Sequence, residues 1–131
     1  MKHANSTDKI ISAAYKVHNS LGFGFLEKVY QNAMVVELEK MGLLVEKEVA
    51  MDVYYQNVLV GQYFADLIVE QKIILELKSV KSTIKIHEVQ LVNYLKATGL
   101  EVGLLINFGH SVEIKRKVLD NPLKSKYKLN P

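Results

Sequence analysis

Two carboxylates and one lysine lie close together in the most apolar part of the chain. Asp66 precedes Glu76 by ten positions, and Lys78 follows Glu76 by two. The polar turn at residues 70–72 lies midway between the two acids. A β-hairpin centred on residue 71 therefore predicts that Asp66 lies opposite Glu76, with their β-carbons about 4.5–5.5 Å apart. Because side chains two positions apart on a strand share a face, Lys78 is expected beside Glu76.

Carboxylates that face each other in apolar surroundings need a compensating charge. Like charges opposite each other destabilise a sheet, and burial shifts the pKa of a carboxyl group towards neutrality. A divalent cation such as Mg²⁺ or Mn²⁺ can compensate, because hard cations prefer oxygen ligands and Mg²⁺ keeps several waters for chemistry. The alternative is a simple ion pair between Lys78 and one carboxylate at the sheet margin. The apolar setting and the convergence of three residues favour the metal site.

The surrounding sequence alternates between helical and strand periodicity. Ser6, Thr7 and Asp8 are predicted to cap a first helix that ends at Gly22, and a second helix is predicted over residues 26–41. Three strands, a helix and two strands are predicted over residues 45–55, 58–69, 73–80, 86–97, 102–108 and 112–118. The first strand alternates and should be wet on one face. The second and third are apolar on both alternations, which predicts central strands covered on both faces. This order predicts a mixed α/β sandwich.

Composition excludes several classes of function. The chain has 131 residues, the size of one domain, and it contains no cysteine, so disulfide scaffolds, thiolate zinc sites and cysteine nucleophiles are excluded. It has no glycine-rich phosphate loop after a strand, which argues against Rossmann and P-loop nucleotide binding. No apolar run has the length of a membrane span or the position of a signal peptide. A cytoplasmic, single-domain protein without membrane association is therefore expected over residues 1–131.

The basic residues are concentrated near the C-terminus. From Lys115 onward six basic residues stand against Asp120 alone, which gives this stretch a charge of +5 and the preceding residues −2. We predict a basic C-terminal tail from about residue 115 that attracts phosphate groups, with a solvated terminus as the alternative. The four histidines (3, 18, 87 and 110) show no zinc-ligand spacing and are predicted to be structural.

Several short motifs resemble those of one nuclease superfamily. Asp66 followed by Glu76-Leu77-Lys78 resembles the D…(D/E)xK signature of the PD-(D/E)xK, or restriction-endonuclease-like, superfamily, with Ala65 in place of the usual proline. Gly24-Phe25-Leu26-Glu27-Lys28-Val29-Tyr30 resembles the motif that names the GxxExxY family. Residues 90–94 resemble the QxxxY helix motif of RecB-type nucleases. The likeness covers residues 10–118 and implies an α/β fold, with a restriction-endonuclease-like αβββαβ core and a mixed central sheet flanked by helices.

This resemblance implies roles for residues at the carboxylate pair. Asp66 and Glu76 would bind the metal together with the backbone carbonyl of Leu77, and Glu27 would complete its surroundings directly or through water. Lys78 would orient or help to deprotonate the attacking water and offset charge on the phosphate.

The resemblance also implies a second group of supporting or substrate-binding residues. Tyr30 would support Glu27 or touch the substrate, and Gln90 and Tyr94, one helical turn apart, would point at the site. For both tyrosines, core packing with a hydrogen-bonded hydroxyl is an equal alternative. Lys81 and Lys85 would contact neighbouring phosphates, with a solvated lysine face as the alternative.

These inferences lead to a functional prediction. The chain is predicted to be a Mg²⁺- or Mn²⁺-dependent deoxyribonuclease whose partner is DNA. One alternative is a catalytically weak or inactive nuclease-fold module for nucleic-acid binding or assembly, and another is a dimeric endonuclease similar to Holliday-junction resolvases. A homodimer that forms through apolar edge strands is also considered.

Overall fold

A single five-stranded sheet organises the computed structural model, which describes residues 3–120. The elements in chain order are α1 (Ala4–Leu21), α2 (Glu27–Lys40), β1 (Val45–Tyr55), β2 (Val58–Val69), β3 (Ile73–Lys78), α3 (Lys85–Thr98), β4 (Val102–Phe108) and β5 (Val112–Val118). The strands lie side by side in chain order. Neighbours are antiparallel except β3 and β4, which are parallel and joined by the crossover through α3. The predicted mixed α/β fold, with helices flanking a mixed sheet, is confirmed.

Helices cover both faces of the sheet and bury an apolar core on each. On one face, α1 and α2 pack against alternate residues of β2 and β3, among them Leu67, Leu75 and Leu77. On the other face, α3 packs against residues of the opposite alternation, such as Ile68 and Ile74. All seven residues of β4 are buried. The strands at the centre of the sheet are therefore apolar on both faces because each face contacts a helix.

The first half of β2 departs from the prediction of a strand covered on both faces. β2 pairs with β1 over nearly its whole length but with β3 only from Leu67 to Val69. Residues 58–62, which precede this shared segment, are exposed. The expectation was wrong here because β1 and β2 continue beyond the helices as a two-stranded arm. β3 is also shorter than predicted, since it ends at Lys78 rather than at residue 80.

The ends of the first helix show one wrong and one confirmed expectation. The helix begins at Ala4 after a left-handed His3, no side chain caps it, and the backbone N–H of Thr7 donates to the carbonyl of His3 at 2.9 Å. The predicted capping by Ser6, Thr7 and Asp8 is therefore wrong, because the helix starts earlier and includes them. The predicted stop at Gly22 is confirmed, and the φ of 74° there is readily adopted by glycine.

The basic C-terminal stretch is only partly within the described residues. Lys115, Arg116 and Lys117 belong to β5 rather than to a tail. The remaining lysines of that stretch, at positions 124, 126 and 128, lie outside the described residues. None of the helices within residues 3–120 combines the length and apolar character needed to cross a lipid bilayer.

Candidate active site

Asp66 lies where β2 leaves β3 and continues with β1 alone. The pairing of β1 with β2 passes from Lys47 and Leu67 directly to Val49 and Ala65, so Glu48 and Asp66 form no ladder pair. The backbone of Glu48 is left-handed there, with a φ of 53°, which is uncommon for a residue other than glycine. This local irregularity frees the backbone of Asp66 from the regular ladder, as bulges near functional sites do.

Hydrogen bonds to other elements replace the ladder contacts of Asp66. The side-chain amide of Gln31 donates to the Asp66 carbonyl at 2.9 Å, and the backbone N–H of Leu77 donates to Asp66 Oδ2 at 2.8 Å. The hairpin of β2 and β3 is centred on residue 71 as predicted, since Leu67 pairs with Leu75. Asp66 and Glu76 come next in that register but form no ladder pair, because the Asp66 side chain accepts the Leu77 N–H instead.

Glu76 is the most perturbed acid among the described residues. The pKa of its carboxyl group is raised to about 8, chiefly by burial, which Lys78 opposes and Glu27 reinforces. Its Oε1 atom is buried and has no hydrogen-bond partner within residues 3–120. An unpartnered buried oxygen costs free energy, so this atom is suited to a ligand that the polypeptide itself does not supply.

Asp66 is held in a related environment on the same side of the sheet. Burial raises its pKa, the hydrogen bond from Leu77 lowers it, and Glu27 and Lys78 act on it as they do on Glu76. Burial together with the nearby carboxylates Glu76 and Asp66 also raises the pKa of the Tyr94 hydroxyl. Because Tyr94 belongs to α3, both carboxylates face the side of the sheet that α3 covers.

The two GxxExxY-motif residues differ in where they lie. Glu27 is the first residue of α2, is exposed, and raises the pKa of both site carboxyl groups. Tyr30 is fully buried, and its ring stacks on Phe108 with centroids 4.5 Å apart. The Tyr30 hydroxyl donates to the carbonyl of Gly22 at 2.6 Å. This is the core-packing arrangement that the sequence left open, and it fixes the loop that precedes Glu27.

The remaining predicted site residues form no hydrogen bond with the two acids within residues 3–120. Tyr94 is half-buried and stacks on Tyr63, with ring centroids 3.4 Å apart. Gln90 is exposed one turn earlier on α3, and within residues 3–120 no hydrogen bond joins it to the carboxylates. Lys81 is exposed on the segment after β3. Lys85 lies 3.9 Å from Glu88, which also pairs with a lysine of β5.

Three residues at the site were not predicted from the sequence. Gln31 is almost fully buried against Asp66, and its position four residues after Glu27 on the same helix could have indicated it. Glu48 pairs with Lys28, and that hydrogen bond holds the pKa of the Glu48 carboxyl below its usual value. Tyr63 supports the ring of Tyr94 by stacking. Neither Glu48 nor Tyr63 stands out in the sequence from the alternating residues around it.

The donor set at the site suits a hard divalent cation. Carboxylate oxygens, such as those of Asp66 and Glu76, are the ligands that Mg²⁺ and Mn²⁺ prefer. A bound cation would lower the pKa values of both carboxyl groups and would give Glu76 Oε1 a partner. Within residues 3–120, no three histidine, aspartate or glutamate side chains form a ready-made metal-binding cluster. Two carboxylates fit Mg²⁺ nevertheless, because this ion usually retains waters and binds substrate phosphates alongside one or two protein carboxylates.

Comparison with known proteins gives one match. A family model that describes the PD-(D/E)XK nuclease superfamily matches residues 4–117, which include every residue of the site described above. No curated protein and no solved structure matches the chain.

Proposed function

Because this chain belongs to the PD-(D/E)XK nuclease superfamily, we propose that it hydrolyses phosphodiester bonds of DNA with Mg²⁺ or Mn²⁺ as its cofactor. The proposal includes the narrower likenesses of residues 24–30 to the GxxExxY motif and of residues 90–94 to the QxxxY helix of RecB-type nucleases. Superfamily membership supports a nuclease in general. The cation is inferred from the carboxylate oxygens of the site, and DNA is inferred from the likeness to restriction-endonuclease-like and RecB-type nucleases.

The observation that carries the proposal is the environment of Glu76. Its pKa is raised to about 8 and its buried Oε1 lacks a partner, although Lys78 lies on the same strand two residues away. An ion pair with Lys78 that satisfied the carboxylate would have lowered its pKa below the usual range. Lys78 alone therefore does not compensate the charge of Glu76, which supports a cation-binding role for the site over the ion-pair alternative.

The residues of the site can divide the chemistry among themselves. A bound Mg²⁺ or Mn²⁺ supplies an activated water and stabilises charge on the phosphate. The Leu77 N–H holds the Asp66 carboxylate in one orientation, and Gln31 anchors the Asp66 backbone. Lys78 favours the ionised form of both acids, and its positive charge would offset negative charge that develops on the phosphate. Glu27 is the third acid at the opening of the site.

The test is a cleavage assay with single-stranded, double-stranded and branched DNA in Mg²⁺, in Mn²⁺ and in a chelator. We expect cleavage that requires the cation and that falls at least roughly 10²-fold in the Glu76→Gln variant. Glu39→Gln is the matched control, because Glu39 is an exposed acid at the far end of α2. This variant should cleave like the wild type, and the loss of cleavage in Glu76→Gln purified in the same way excludes a contaminating nuclease.

Two results would contradict the proposal. The first is an absence of cleavage with either cation on all three substrates. The second is cleavage that survives Glu76→Gln. Calorimetric titration then separates the alternatives: Mn²⁺ binding without cleavage would indicate a catalytically inactive nucleic-acid-binding or assembly module.

A further inference from the structure

Three aromatic side chains lie together on the loop before α2 and on the turn after β4, beside the end of the strand that carries Glu76 and Lys78. Phe23 and Phe25 are each 46% exposed, and the ring of Phe23 packs at a tilt of 32° against the exposed His110 ring, with centroids 4.2 Å apart. We call these three residues the aromatic rim. The rim adjoins the site, because Phe25 lies two residues before Glu27 and its carbonyl accepts a hydrogen bond from Ser79, the neighbour of Lys78.

The rim is held rigidly although its rings are exposed. Hydrogen bonds from the Tyr30 hydroxyl to the Gly22 carbonyl and from the Phe25 N–H to that hydroxyl fix the loop at both ends. The turn that carries His110 is fixed in the same way, because His18 Nε2 is 2.7 Å from the carbonyl of Gly109. Because the backbone that carries these rings is fixed, they can contact a ligand with little loss of conformational freedom on binding.

Positive charge lies beside the rim. The segment after β3 is tied to β4 by two hydrogen bonds between the side chain of Asn107 and the backbone of Val80, at 3.0 and 2.9 Å. The backbone of Lys81, on this segment, approaches Gly109 so closely that a β-carbon there would lie 3.3 Å from the Lys81 carbonyl. The segment that carries Lys78 and Lys81 thus contacts both the loop of Phe25 and the turn of His110.

We propose that the aromatic rim binds the unpaired bases of single-stranded DNA and so presents a single strand to the carboxylates. The inference rests on the proposed nuclease function and names its substrate class. Aromatic rings can stack on any base whose face is free, and neighbouring lysines can contact the phosphates between such bases. A continuous duplex hides its base faces inside the stack and offers the rings only sugar and phosphate.

The test compares binding of fluorescein-labelled oligothymidylate and of a duplex of equal length, by anisotropy in a chelator so that no cleavage occurs. The wild type should bind the single strand more tightly than the duplex. The double variant Phe23→Ala/Phe25→Ala should bind the single strand roughly 10- to 100-fold more weakly, which is the effect expected for losing one or two stacking contacts. Its affinity for the duplex should stay within about twofold of the wild-type value.

Matched variants separate stacking from general apolar contact and from misfolding. Phe25→Trp keeps an aromatic face and should retain binding, whereas Phe25→Leu keeps apolar bulk and should lose it. Val36→Ala and Leu44→Ala remove exposed apolar side chains elsewhere and should have no effect. An oligonucleotide of abasic residues should bind the wild type and the double variant equally. Circular dichroism verifies that each variant is folded.

Clear outcomes would overturn the inference. Equal affinity for single strand and duplex would do so, as would tight binding by the double variant or full retention in Phe25→Leu. If the rim instead joins two copies of the chain, the wild type will be a dimer in analytical ultracentrifugation. The double variant will then be a monomer whose affinity for DNA is unchanged. The proposed function is tested separately. If DNA binding depends on the rim but no cation-dependent cleavage occurs, only the nuclease activity is refuted. If cleavage depends on Glu76 but DNA binding does not depend on the rim, only this inference is refuted.

Discussion

Replacing Glu76 by glutamine is expected to make the protein more stable while it abolishes cleavage. The pKa of this carboxyl group rises from 4.5 in the unfolded chain to about 8 in the folded one, so the native state binds its proton more tightly. Between these two values the unfolded state is deprotonated and the native state is not. The free energy of unfolding therefore falls as pH rises through this window, and it levels off above pH 8.

The size of the effect follows from the same two values. Relative to acid pH, this one group lowers the free energy of unfolding by about 1 kcal/mol at pH 5, about 3 kcal/mol at pH 7 and about 5 kcal/mol at pH 9. Glutamine has nearly the same shape and no charge to bury. The stability advantage of Glu76→Gln over the wild type should thus grow by about 2 kcal/mol between pH 5 and pH 7.

Urea denaturation of both proteins at several pH values, in a chelator, measures this difference directly. Subtracting one curve from the other cancels the titration of all groups that the two proteins share. A difference that stays constant from pH 5 to pH 8 would refute the reasoning, as would one that shrinks. Saturating Mn²⁺ should stabilise the wild type and reduce its deficit, because a cation that binds only the folded state adds its binding free energy to stability.

Three further predictions concern single residues. Lys78→Met should lower the cleavage rate roughly 10²- to 10⁴-fold with folding intact, because it removes the ammonium group that favours the ionised forms of Asp66 and Glu76. An unchanged rate would contradict this role. Gln31→Leu should lower the free energy of unfolding in urea by about 1–3 kcal/mol, because it leaves the partly buried Asp66 carbonyl unpaired, and it should slow cleavage. If neither quantity changes, the Gln31 hydrogen bond is dispensable. Gly103→Ala should lower the free energy of unfolding by about 1–3 kcal/mol in the same assay, because a β-carbon there would lie 2.7 Å from the Leu91 side chain. Gly61→Ala is the control: no atom lies within 4 Å of the added carbon, so the free energy of unfolding should change by no more than about 0.5 kcal/mol. Equal effects of the two alanines would mean that α3 does not pack this closely on β4.

The elements and the hairpin register could be predicted because local rules determine them. Glycines at positions 22, 42 and 99 end the helices in left-handed conformations, and periodicity separates helices from strands. The alternation of residues in β2 and β3 about the polar turn gives the observed pairing of Leu67 with Leu75. The convergence of Asp66, Glu76 and Lys78 follows from that register.

Features that depend on tertiary contacts were not accessible in this way. Residues 58–60 of β2 are Val-Leu-Val, a pattern that predicts burial, and they are exposed because the strand here continues with β1 beyond β3 and the helices. The left-handed backbone of Glu48 has no sequence signal, because a glutamate in an alternating strand is ordinarily extended. Gln31 is buried because its side chain donates to the Asp66 carbonyl, and the irregularity at Glu48 leaves that carbonyl without a ladder partner.

The parallel pairing of β3 with β4 determines when during folding the site can form. β3 carries Glu76 and Lys78, yet it is paired with β2 over only three residues and with β4 over its full length. During synthesis, the nascent chain therefore lacks β4, the strand with which β3 forms most of its pairs, until Phe108 has been added. Closing a long-range parallel pair is slow because its entropy cost comes first. A truncated or nascent chain that ends before β4 therefore lacks most of the backbone pairing that fixes the strand carrying Glu76 and Lys78.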